Sequence, residues 1–189
     1  YFTYPLVKNL DSHYPERYDY PAVAWVLSYN FKSFLEGKMF SSEKYFDAPI
    51  LYPFSHTLAH FDSWLIPSIF LYGPAFAVTQ NHIISTNFVI VASFALSFLA
   101  AFYALKGLFR NHYASFVGAL VFAFSPIPTA RFIVGHLEYL PRFFIPIFFL
   151  FLKKFLDKPG IKYAFLLSLV LTLNFLTNIQ LSLFLLVLG

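Results

Sequence analysis

Cysteine is absent from these 189 residues, methionine occurs once, and charged side chains make up only 12% of the chain. The lack of cysteine excludes a disulfide framework and thiol or thiolate chemistry. The charge content is about half that of a typical soluble domain. Glycine is sparse, at seven residues, and the chain has no Gly-rich phosphate loop, internal repeat, low-complexity tract, heptad pattern or Asn-x-Ser/Thr acceptor. These absences remove phosphate-loop nucleotide binding, solenoids and coiled coils from consideration.

What fills the chain instead is apolar. Hydrophobic residues make up 59% and aromatics 22%, with 27 phenylalanines. Mean hydropathy is +0.66. A soluble fold has nowhere to bury that much phenylalanine, so lipid is the expected solvent. The net charge is +4. In a membrane chain such basic residues set topology, so no nucleic-acid partner is expected.

Four stretches read as membrane spans: Ile83–Leu105, Tyr113–Ala130, Phe143–Leu152 and Tyr163–Gly189. The second is broken near its end by Ser125–Pro128, and the third can be extended by the preceding "FIVGHLEYLPR". The loops after the first and third spans carry six bases: Lys106, Arg110, Lys153, Lys154, Lys158 and Lys162. That side is the cytoplasm, which puts residues 1–82 and the 126–142 loop on the outer face of the cell membrane. The chain starts without Met and stops inside an apolar run. It is therefore expected to be an N-terminal fragment whose missing start has room for a first transmembrane helix.

Residues 1–62 hold seven acids and five bases and read as a large polar-faced outer loop. Tyr20–Leu35, with Trp25, Tyr29 and Lys32, is expected as an amphipathic helix at the interface. Asp47–Pro53 reads as extended chain. His56–Tyr72 reads as a second interfacial or re-entrant helix, closed by Gly73-Pro74.

Five groups of residues are candidates for chemistry. Glu16 and Asp19 suit a general base or an acidic metal ligand. Asp19 before "YPAVAW" equally suits a helix N-cap with Pro21 in the first turn, and on the residues alone the cap reading leads. His56 and His60 have the i, i+4 spacing of metal ligands. However, Thr57 stands where a metalloprotease motif needs Glu, and Asp62 is the only obvious third ligand, so no metal site is assigned to them. Arg131, His136, Glu138 and Arg142 cluster in "TARFIVGHLEYLPR". On a helix, Arg131, Glu138 and Arg142 share a stripe. The arginines suit a lipid phosphate, or else snorkelling with an ion pair to Glu138. Asn174, Asn178 and Gln180 in the last span suit interhelical hydrogen bonds. Lys44 is a loop base that suits an anionic leaving group.

This layout resembles the polytopic glycosyltransferases of the C superfamily, which use polyprenyl-phosphate sugars. "ERYDYPAVAW" sits where their acid-bearing outer loop begins. "PILYPFSHTLAHFDSWLIPSIFLYGPAFAVTQNHIIS" is similar to their Pro-rich stretch, second surface helix and turn into the next span. "GALVFAFSPIPTARFIVGHLEYLPRFFIPIFF" is similar to one of their span pairs. The resemblance implies an all-α integral membrane protein, a multi-span bundle whose outer loop carries interfacial helices. Residues 1–82 would form the loop and 83–189 about four spans. It also implies sugar transfer to an acceptor on the outer face, with a lipid-linked sugar donor and membrane lipids as partners. Asp19 takes the place of the catalytic acid, with Glu16 in reserve. Arg131, His136, Arg142 and Lys44 are the substrate-binding candidates. Many relatives have adjacent acids or Asp-x-Asp, whereas here Arg17 and Tyr18 separate the two, so a divalent metal stays open as a cofactor. A transporter or flippase for a lipid-linked or amphiphilic molecule is the alternative, drawing on Asn174, Asn178, Gln180 and Pro146. A non-catalytic membrane scaffold is a third reading.

Overall fold

In the computed structural model the described residues are 8–12, 19–50, 53–125 and 136–188, the side chains of His60 and Leu188 excepted. Among them every regular element is helical. The longer helices are α1 (Tyr20–Leu35), α2 (Ser42–Phe46), α3 (Leu65–Thr79), α4 (His82–Phe109), α5 (His112–Phe124), α6 (Phe144–Asp157), α7 (Ile161–Phe175) and α8 (Ile179–Leu188). Short 3-10 turns occur at Lys38–Phe40, Thr57–His60 and Leu137–Tyr139. The chain divides into two compact units, residues 1–89 and 90–189.

Among the described residues, α4 alone is long and apolar enough to cross a membrane. Its 28 residues rise about 42 Å, against a hydrocarbon core of about 30 Å. The helices α3, α5 and α7 are apolar but shorter. The expected span over Tyr113–Ala130 is helical from His112 to Phe124, and its residues 126–130 lie outside the described set.

In the first unit, α1 has the expected bounds. Its buried positions Tyr20, Val23, Val26, Leu27, Asn30 and Ser33 repeat at helical spacing and form one stripe. That stripe packs on the middle of α3. Asn30, fully buried, donates to Ser63 O (2.7 Å) and Ser68 Oγ (3.3 Å) and accepts from Tyr45 Oη (2.7 Å). Phe31 meets Tyr72 and Phe76 edge-on, with centroids 6.2 and 6.5 Å apart.

The segment around α3 departs from the sequence reading in two ways. The expected single helix over His56–Tyr72 is instead one 3-10 turn, a bend and the start of α3. His56 and Trp64 adopt left-handed φ values of 57° and 47°, which interrupt any helix there. Trp64 is 4% exposed, so its burial outweighs the local helical pattern. The second departure is that Gly73-Pro74 continues the helix instead of closing it. A π-turn over Ser68–Tyr72 precedes the pair and widens the ladder where Pro74 lacks a donor. Gly73 is needed for space, because a Cβ there would lie 2.4 Å from Phe31 Cε2.

In the second unit, α6 and α7 form a helical hairpin. Phe148, Val170 and Leu185 make its buried centre, with Phe144, Ile145, Phe151 and Leu171 packed around them. Asn111 caps α5 by accepting from Ala114 N at 3.0 Å. The expected span Tyr163–Gly189 is not one helix. It breaks between Phe175 and Ile179. Asn178 Oδ1 accepts from Leu181 N (2.7 Å), so a side chain within the apolar run competes for the backbone and starts a new helix.

Candidate functional site

Asp19 stands at the N-cap position of α1, with Pro21 in the first turn. The backbone follows the cap reading: Val23 N donates to Asp19 O at 2.9 Å. The side chain does not, since it makes no capping hydrogen bond. The next residue fixes where Asp19 lies. Tyr20 is fully buried and donates to Asn87 Oδ1 at 2.8 Å. Asn87 in turn donates through Nδ2 to Leu10 O at 2.9 Å. Asp19 is thereby tied beside the first turns of the long apolar helix α4. Asn87 is a supporting residue that sequence reading did not single out, because a lone Asn in a span start carries no pattern. Glu16 lies outside the described residues.

Lys44 is exposed and lines a cleft of about 480 Å³ along α1. Trp25, Tyr29, Lys32 and Glu36 form one helical stripe on its wall, and Lys38, Asp47 and Pro49 face them. Trp25 and Tyr29 stack, with centroids 5.0 Å apart and planes 14° apart. Tyr29 Oη donates to Tyr45 O at 3.1 Å, which fixes the inner ring. Glu36 pairs with Lys38 at 2.6 Å and with Lys32 at 3.8 Å. The hydrogen bond from Lys38 holds the Glu36 carboxyl below its usual range, and the same bond raises Lys38. Sequence reading found Trp25, Tyr29, Lys32 and Lys44. It did not single out Glu36 at the end of that stripe, Lys38 in the turn after Gly37, or Asp47 in the loop beyond α2.

In the second unit, Arg131 lies outside the described residues. The expected helical stripe through Glu138 and Arg142 is absent, since Glu138 sits in a 3-10 turn and Arg142 in the connection before α6. Arg142 Nη2 donates to Phe122 O and Ala123 O, both at 2.8 Å, and its guanidinium lies over the Phe122 ring at 5.0 Å. It thus satisfies carbonyls that the end of α5 leaves open. Burial lowers its pKa to about 10, so it stays charged at neutral pH. Arg142 is engaged by these carbonyls, while Glu138 Oε1 lies 3.0 Å from His136 Nδ1; the alternative partner of Glu138, Arg131, is outside the described residues. The His136 side chain is 39% exposed and that of Glu138 16%.

The turn carrying that pair is held by the α7–α8 break. Asn178 Nδ2 donates to Glu138 O (2.6 Å), and Tyr139 Oη donates to Gln180 Oε1 (2.8 Å). Asn174 Nδ2 donates to Ser182 Oγ at 2.7 Å. The three amides therefore form the bridging bonds expected of them. Their sequence signal, amides within an apolar run, was sufficient.

His56 and His60 do not share a helix face, because His56 has left-handed backbone and His60 ends a 3-10 turn. Within either unit taken alone, the described residues bring together no three side chains of metal-ligating type.

Compared with known proteins, the chain matches no family model, no curated protein and no solved structure.

Proposed function

We propose that the chain belongs to a membrane glycosyltransferase of several spans that moves a sugar from a polyprenyl phosphate to an acceptor on the outer face of the cell membrane. One observation carries this reading: Asp19 directly precedes Tyr20, whose hydroxyl donates to Asn87 in the N-terminal turns of the only span-length helix among the described residues. A helix of that composition places its ends at the water boundary. A base there meets a donor whose lipid stays in the bilayer and whose sugar stands in water.

The chemistry follows from the group. The acceptor hydroxyl is a weak nucleophile, and the Asp19 carboxylate takes its proton as the oxygen bonds to the anomeric carbon. The bond from that carbon to the phosphate oxygen breaks, and the lipid phosphate leaves as the anion. Cations near the leaving oxygen stabilise its charge. Lys44 lies farther along α1, beyond Trp25, which is itself about 9 Å of helix rise from Asp19. Arg142 spends one nitrogen on the carbonyls of α5.

The test is Asp19→Asn in the full-length protein in membranes, assayed with a polyprenyl-phosphate sugar. Transfer should fall by roughly 10² to 10⁴-fold, the usual contribution of a general base, with insertion unchanged. Full activity in that variant would sink the assignment. Glu16→Gln measured alongside shows whether the reserve acid holds the role instead.

A second reading draws on the α7–α8 break. Polar helix breaks inside apolar sequence are where transporters bind substrate. On that reading Asn174 and Asn178 are essential to movement of an amphiphile and Asp19 is dispensable.

A further inference from the structure

The cleft along α1 has no part in the proton transfer at Asp19, yet it is a built site. Its inner wall is aromatic: Trp25 stacked on Tyr29, with Tyr29 held by Tyr45 O. Its rim is charged, with Lys32, Lys38 and Lys44 against Glu36 and Asp47. Those charges nearly cancel. Glu36 already engages both Lys32 and Lys38, so an entering phosphate would compete with a carboxylate for two of the three ammonium groups. The only rim ammonium without a carboxylate within 4 Å among the described residues is Lys44. The lining therefore suits a neutral ligand with one apolar face and many hydroxyls. Ring C–H groups lie on the aromatic wall, hydroxyl protons go to Glu36 and Asp47, and hydroxyl oxygens accept from Lys44. A volume of about 480 Å³ falls in the range of small-ligand sites, roughly 300–1,000 Å³.

We infer that this cleft is a carbohydrate-binding subsite and that the acceptor is a saccharide. The second half rests on the transfer reading; the first does not. Trp25 stands six residues from Asp19, about 9 Å of helix rise. A chain of two or so sugars anchored at Trp25 covers that rise and must also turn about 120° around α1, the angle that six residues impose.

The chain has two tryptophans, Trp25 and Trp64, and Trp64 is 4% exposed. In a Trp64→Phe background the emission change that Trp25→Phe abolishes reports on the cleft. The full-length protein in detergent is titrated with a panel of neutral disaccharides, with inorganic phosphate, and separately with phosphatidylglycerol vesicles. The expected result is a saturable change in Trp25 emission with at least one disaccharide. That response persists in Asp19→Asn and weakens at least tenfold in Asp47→Asn. Saturation by phosphate instead makes the cleft an anion site. A response to vesicles alone makes it an interfacial anchor. Either outcome, or silence across the sugar panel, overturns the inference. Where Trp64→Phe does not fold, saturation-transfer NMR on the native sequence and on Trp25→Ala gives the same decision. Loss of sugar binding with transfer intact removes this inference alone. Sugar binding that persists while Asp19→Asn retains transfer removes the transfer reading and the acceptor assignment that rests on it, and leaves the subsite standing.

Discussion

Tyr20 donates its phenolic hydrogen to Asn87 Oδ1 at 2.8 Å, joining the first residue of α1 to the second turn of α4. Both residues are fully buried. Tyr20→Phe keeps the ring and deletes this donor, leaving Asn87 Oδ1 without it. A buried polar atom that loses its partner costs about 1–3 kcal/mol. The expected outcome is a lower Tm in detergent. On the proposed transfer reading, in which Asp19 beside Tyr20 is the base, transfer activity should fall below what the stability loss alone explains. A variant with native Tm and native transfer would detach Asp19 from the anchor.

Gly73 is a contact residue more than a turn residue. A Cβ built on it lies 2.4 Å from Phe31 Cε2 and 2.7 Å from Cδ2. Gly73→Ala therefore forces the Phe31 ring off α3, at the 1–3 kcal/mol typical of overpacking. Adding Phe31→Leu should restore part of that loss, because it removes the ring edge the methyl meets. Tm values of the two single variants and the double variant form the cycle. Additive losses would mean that the two side chains do not meet.

The helices legible in the sequence were those whose pattern needed no partner. Tyr20–Leu35 carries a clean amphipathic stripe, and the stretch that became α4 is uncharged and long. What failed was decided by contacts between distant residues. Trp64 adopts a left-handed backbone while its ring is buried, and Gly73-Pro74 stays helical because a π-turn precedes it and Phe31 packs on it. The last apolar run held a readable clue in Asn174 and Asn178, but hydropathy alone weighed it as one span. At the candidate site, the neighbours of Asp19 in sequence pointed to a helix start, which the backbone shows, and its role as an acid came only from the resemblance. Its anchor Asn87 lies 67 residues from Tyr20, beyond the reach of local pattern. The cleft was half visible, since one wall is a helical stripe and the other comes from loops.

Tyr45 links α2 to the buried Asn30 and makes a pH prediction. Its hydroxyl donates to Asn30 Oδ1 at 2.7 Å, which requires the neutral phenol. Burial, with Tyr29 nearby, pushes its pKa up to about 12. In the unfolded chain the value is about 10. Between those values the folded state binds more protons, so stability falls as pH rises. The contribution is complete below about pH 10 and gone above about pH 12. Tyr45→Phe should flatten that part of the stability curve, and its tyrosinate absorbance titration should lose one step near pH 12. An unchanged slope would show that another group titrates there.

Asn178 performs two jobs with one side chain. Its Oδ1 accepts from Leu181 N and caps α8, while its Nδ2 donates to Glu138 O. Asn178→Leu removes both and takes the capping amide out of the break. Loss of the cap alone costs about 0.5–2 kcal/mol, and Glu138 O is left with one donor fewer. Hydrogen exchange should then quicken at 137–140 and at 179–182 together, since one side chain serves both. Gln180→Ala removes only an exposed bond from Tyr139 and should leave 179–182 protected. Asn178→Asp separates the roles: it keeps an acceptor for Leu181 N and loses the donor to Glu138, so exchange should quicken at 137–140 alone. If Asn178→Leu instead slows exchange across 176–178, the run has straightened into one helix, and the break exists only because Asn178 holds it.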